Sequence, residues 1–102
     1  CEAVDKSIDS ALAVAGRLKE AGYDAYHSQI LVEDAIAEAG IIIAPEGITG
    51  NIMFRTLHFV GGAQALGAPV VNSDKVFVDT SRVKTDYRDS IALARKLTKG
   101  LR

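Results

Sequence analysis

Four consecutive apolar residues, Ile41-Ile42-Ile43-Ala44, stopped by Pro45, set the strongest limit on the architecture. A strand with one wet face alternates apolar and polar side chains, whereas a strand covered on both faces reads as continuous hydrophobics. Helical spacing flanks this run on both sides. Ile8, Leu12, Ala15 and Leu18 recur on one face and predict a helix over 5–21, with Asp5 or Ser7 placed to cap its start and Gly22 to end it. Residues 32–39 read as a short helix closed by Gly40, and residues 23–31 as an ambiguous stretch in which a short strand is one option. Ile52, Phe59, Val60, Ala63 and Leu66 predict a helix over 50–66 closed by Gly67, and Tyr87, Ile91, Ala94 and Leu97 or Leu101 one over 86–99. Pro69-Val70-Val71 and Val76-Phe77-Val78 are short strand candidates. Helices alternating with apolar strands predict an α/β fold, a doubly wound, mostly parallel sheet with flanking helices.

The 102 residues make one domain's worth of chain, with no linker rich enough in Pro, Gly or Ser to divide it. Tryptophan is absent and aromatics are 6%, so small aliphatic side chains must do the packing. The lone Cys1 can form neither an internal disulfide nor a metal site by itself, and no metal site is expected elsewhere. No apolar run approaches the ~20 residues of a membrane span, so the expectation is a cytoplasmic protein without membrane attachment. The chain does not begin with methionine and is expected to be a piece of something longer.

Net charge is −1, which argues against general nucleic-acid affinity. The charge is unevenly placed, however. Residues 1–50 hold nine acids and three bases, whereas residues 82–102 hold seven bases and two acids. The basic end fits either a solvated helix with cations near its C-terminus or a positive rim facing an anion.

Between the run at 41–44 and the next helix lies Pro45-Glu46-Gly47-Ile48-Thr49-Gly50-Asn51. Ligands of open α/β sheets sit beyond the carboxyl ends of strands, where this loop would fall. Gly47 and Gly50 would let the backbone approach a small anionic ligand, and the free N–H groups of the helix start would bind it. Thr49 and Asn51 offer side-chain donors, and Arg55 lies one turn beyond Asn51 on the same face. The competing explanation is a tight turn whose Thr or Asn caps the helix. The loop is neither a Walker A sequence nor a G-x-G-x-x-G fingerprint. A second cluster, Asp79-Thr80-Ser81-Arg82, follows the strand candidate at 76–78. Ser81 there could donate to an oxyanion and Arg82 could grip a phosphate, unless these residues simply satisfy a turn.

The stretch from Ile41 to Asn51, followed by helix, strand and Thr80-Ser81-Arg82, resembles the phosphate acetyl/butyryltransferase family. Gly47-Ile-Thr-Gly-Asn-Ile-Met-Phe-Arg-Thr-Leu-His58, with Gly-Gly-Ala-Gln-Ala-Leu-Gly at 61–67, is most similar to its methanogen branch, MtxX or methanogenesis marker protein 4. The resemblance covers residues 40–98 well and residues 1–39 less well. It implies the C-terminal part of a two-domain, dimeric protein with a partial isocitrate/isopropylmalate dehydrogenase-like fold. It also implies a transferase exchanging an acyl group between coenzyme A and phosphate. Ser81 would then steady the carbonyl oxygen and Arg82 would contact the coenzyme A phosphate. Gly50 and Asn51 would border the phosphate pocket. The family's base aspartate slips here: Asp86 and Asp89 bracket its expected place, which Arg88 occupies. The branch is associated with methyltransferase systems. The alternative to an acyltransferase is therefore a non-catalytic accessory protein that keeps the fold and serves methyltransferase subunits.

Overall fold

A computed structural model describes residues 1–81 and 84–100, which divide into two compact units, Cys1–Leu57 and His58–Arg102. The first unit opens with α1, Glu2–Glu20. Its acidic first turn (Glu2, Asp5) and basic last turn (Arg17, Lys19) both complement the helix dipole. Neither Asp5 nor Ser7 caps it. The helix starts before both of them, with Cys1 at the cap position and no side-chain cap bond. Its end is as expected. Gly22 adopts φ +93°, its N–H reaches the Lys19 carbonyl at 3.0 Å, and Tyr23 N–H reaches Leu18 at 3.0 Å. That pair of bonds is the Schellman arrangement, which satisfies carbonyls the helix leaves open.

No strand forms over 23–31; the Tyr26 hydroxyl ties this stretch to α2 (Val32–Glu38) by donating to Glu38 at 3.3 Å. Residues 39–46 then lead into α3, Gly47–Arg55. The helix expected at 50–66 thus begins earlier and stops sooner. It loosens into a π-helical turn, Thr56–Val60, and Gly62 at φ +75° turns the chain well before Gly67. His58 Nδ1 donates to the Ala63 carbonyl at 2.6 Å, closing that turn.

The doubly wound parallel sheet is not formed. The described residues are mostly helical, and their one sheet pairs β1 (Ala68–Pro69) with β2 (Val78–Asp79), antiparallel, with Ala68 opposite Asp79 and Pro69 opposite Val78. Chain length explains the direction. Parallel neighbours need a crossover of about a dozen residues or more, and the connection here is shorter, so the chain can only fold back as a hairpin. Val70 N–H to Phe77 carbonyl, 2.9 Å, extends the hairpin by one bond. Ile41-Ile42-Ile43-Ala44 forms no strand because no described segment pairs with it.

In the second unit α4, Arg88–Gly100, packs on β2. Ser90 is buried there, while Ala15 and Ala35 are the buried apolar residues of the first unit. These cores are small. The accessible surface is 8761 Å², whereas a folded monomer of this mass exposes about 5,500 Å² and two independent bodies of half the mass about 6,700 Å² together. The stripe of α1 illustrates the cause: Ile8 and Leu12 both face solvent.

Candidate functional site

The glycine loop is built around Glu46. Its backbone is extended, its carbonyl accepts from Gly50 N–H at 3.0 Å, and its side chain turns back over the start of α3. Oε2 accepts from Ile48 N–H at 2.6 Å, and Oε1 accepts from Thr49 N–H at 2.7 Å and from the Thr49 hydroxyl. The helix start is therefore already served by a carboxylate from its own chain. Thr49 acts as a donor to Glu46, and the cap itself is Glu46, not Thr49 or Asn51. Gly50 is closely packed: a Cβ there would lie 3.3 Å from the Cβ of Ala44, which would have to give by a few tenths of an ångström. Gly47 has open space around it, and Asn51 and Arg55 are exposed along α3.

The donated hydrogen bonds hold the Glu46 carboxyl below its ordinary 4.5, the Thr49 hydroxyl contributing most, then the N–H groups of Thr49 and Ile48. The charged form thus stabilises the folded loop above the ordinary glutamate range, and that contribution is lost as pH falls through the lowered folded value. Acidification to below the ordinary glutamate range is expected to free the Ile48 and Thr49 amides. Backbone amide shifts followed by NMR should show one coupled transition for both, absent in Glu46→Ala. A wild-type loop with no acid transition would contradict the cap.

Ser81, Asp86 and Asp89 belong to the second unit and are described within it. Arg82 lies outside the described residues. Ser81 is partly exposed, and its carbonyl accepts from Lys84 N–H at 3.0 Å. Asp86 is gripped by Arg88: Nε at 3.0 Å from both oxygens, Nη2 at 2.6 Å, and the backbone N–H at 3.1 Å. The Arg88 side chain, and then its N–H, hold the Asp86 carboxyl below its ordinary value. A general base works best with a pKa near the operating pH, so this pairing moves Asp86 the wrong way for that task. Asp89 accepts from Gln64 Nε2 at 3.2 Å.

Composition and periodicity gave no sign of the polar cluster at the heart of the second unit. Buried Ser90 donates to the Leu66 carbonyl at 2.5 Å, and Lys84 Nζ donates to Ser90 Oγ (3.3 Å), Ala65 O (3.2 Å) and Leu66 O (3.4 Å). Gly67 completes it at φ +150°, where a Cβ would sit 2.6 Å from Val78 Cγ1 and 3.3 Å from Ser90 Oγ. A serine beside a lysine can be a nucleophile and its base. Here the hydroxyl is buried and aimed at a carbonyl, which makes the cluster a clamp on residues 65–67.

Two open hollows among the described residues lie elsewhere. One, about 320 Å³, is lined by Ser28, Gln29, Ile30, Leu31 and Asp34. The other, about 380 Å³, lies along α4 beside Ile91, Ala94, Arg95, Thr98 and Lys99. Neither is lined by the glycine loop, Ser81, Asp86 or Asp89. Among the described residues no group of three His, Cys, Asp or Glu gathers as metal ligands, and no helix is long and apolar enough to cross a membrane.

Comparison with known proteins puts the chain beside methanogen proteins named for methyltransferases. It is 48% identical over 98 residues to "Putative methyltransferase mtx subunit X" of Methanosarcina mazei, matching 92% of this chain and 35% of that protein. The protein of the same name in Methanosarcina acetivorans is 49% identical over 98 residues, with the same shares of each chain. An uncharacterized methyltransferase of Methanopyrus kandleri is 37% identical over 102 residues, matching 95% of this chain and 40% of its own. The chain thus spans about a third of the length of the Methanosarcina relatives. No family model and no solved structure matches it. These names overturn the expected kinship with phosphate acetyl/butyryltransferases, and with it the acyltransferase activity and the coenzyme A substrate. The relatives are named for methyl transfer, and the helical fold is not the one that kinship implied.

Proposed function

We propose that this chain is the C-terminal part of a longer, two-domain, non-catalytic accessory protein of a methanogen methyltransferase system. The observation that carries the proposal is the 48% identity to the Methanosarcina mazei mtx subunit X, sustained over 92% of the chain. The site chemistry supports it. The donors that would hold an anion at α3 serve Glu46, and Asp86 is bound to Arg88. In this proposal a small anion, whether phosphate or carboxylate, reaches Gly47, Thr49, Gly50 and Asn51 only by displacing the Glu46 carboxylate. Arg55, farther along the same helix, is its secondary candidate, and any homodimer is independent of that step.

The full-length protein, tagged and isolated from methanogen cells, is expected to bring identified methyltransferase subunits with it in stoichiometric amounts. It is also expected to show no turnover of acyl phosphates with coenzyme A. Isolation without any methyltransferase subunit would contradict the accessory role.

A further inference from the structure

The segment Ile41–Ala44 combines two properties that water alone serves badly. Its isoleucines are 83%, 40% and 68% exposed in order, an apolar patch of the kind that marks an interaction site. Its backbone, among the described residues, makes no backbone–backbone hydrogen bond. Covering the side chains with a helix or a flat apolar face would strip water from these N–H and C=O groups and leave them unpaired, which is costly. Only a cover that brings its own backbone groups resolves both problems. Such a cover is an extended strand lying alongside, as in β-strand addition.

The amount of uncovered surface and the length of the relatives together point to the source of that strand. The accessible surface of 8761 Å² exceeds that of two independent compact bodies by about 2,000 Å², whereas a partner in a standard-size complex hides only about 800 Å² of its own surface. The deficit is on the scale of a domain core cut in half. The Methanosarcina relatives match this chain over only 35% of their length, so proteins of that length hold ample additional chain.

We propose that Ile41–Ala44 pairs with an extended apolar segment from the part of the longer polypeptide outside residues 1–102. Hydrogen exchange on the full-length gene product, followed by mass spectrometry of peptides spanning 40–46, tests this directly. The amides of residues 41–44 should exchange at least about 100-fold more slowly than in an unstructured chain, equally at every protein concentration. Ile42→Asp should return them to fast exchange. Protection that fades on dilution would assign the strand to a second copy and overturn the proposal, and fast exchange at all concentrations would overturn it too. Neither outcome depends on whether a methyltransferase is bound, so this test stands apart from that of the accessory role.

Discussion

Gly67→Ala should destabilise the second unit by about 1–3 kcal/mol or more, because two penalties coincide at that position. At φ +150° an L side chain is strained, and the added Cβ would lie 2.6 Å from Val78 Cγ1, a separation that real Cβ atoms do not adopt. Val78 belongs to β2, so relief requires its stiff, β-branched side chain or the hairpin itself to shift. Gly22→Ala provides the control. Gly22 has φ +93° but nothing within 4 Å of its added Cβ, so it carries strain without a clash and should cost only about 1 kcal/mol. Urea unfolding of both variants in the full-length protein separates the terms. Equal losses at the two glycines would mean that the Gly67 corner is not packed as described.

Ser90→Ala is expected to cost about 1–2 kcal/mol, more than a surface serine would. Ser90 is 6% exposed and links the Leu66 carbonyl to Lys84 Nζ. Removing the hydroxyl leaves the lysine with its bonds to Ala65 and Leu66, so the carbonyl is not abandoned and the loss stays moderate. Lys84→Met attacks the same clamp from the other side. The double variant should lose less than the sum of the two singles, by at least about 0.5 kcal/mol. Strict additivity would show that Lys84 and Ser90 act independently.

The helices were legible where the signal is local. The stripe Ile8-Leu12-Ala15-Leu18 and the glycine at 22 predict α1 and its C-terminus, and both lie where expected, although its N-terminal cap does not. The short helix before Gly40 and the basic final helix also form within a residue or two of their expected bounds. The sheet was not legible, because a strand exists only with a partner. Ile41-Ile42-Ile43-Ala44 has the composition of a doubly covered strand, but the composition is silent on whether a pairing segment is at hand. Hairpin direction at 68–79 could have been read from the short connection alone.

The expected loop at 45–51 is mostly helix, since α3 already begins at Gly47, and its cap is Glu46 and not Thr49 or Asn51. Glutamate is outside the usual set of N-cap residues, whereas Thr49 and Asn51 belong to it. The informative signal was an acid directly before the first helical turn, with a hydroxyl three residues on. The Ser90–Lys84 clamp joins residues as far as 24 positions apart, and no spacing rule reaches that distance.

Methyl transfer itself provides the most direct test of the accessory role. The rate of a purified methanogen methyltransferase complex should change when the full-length protein is added, while that protein alone with methyl donor and acceptor gives no transfer. Sustained methyl transfer by the isolated protein, without other subunits, would contradict the account and make the chain part of an enzyme in its own right.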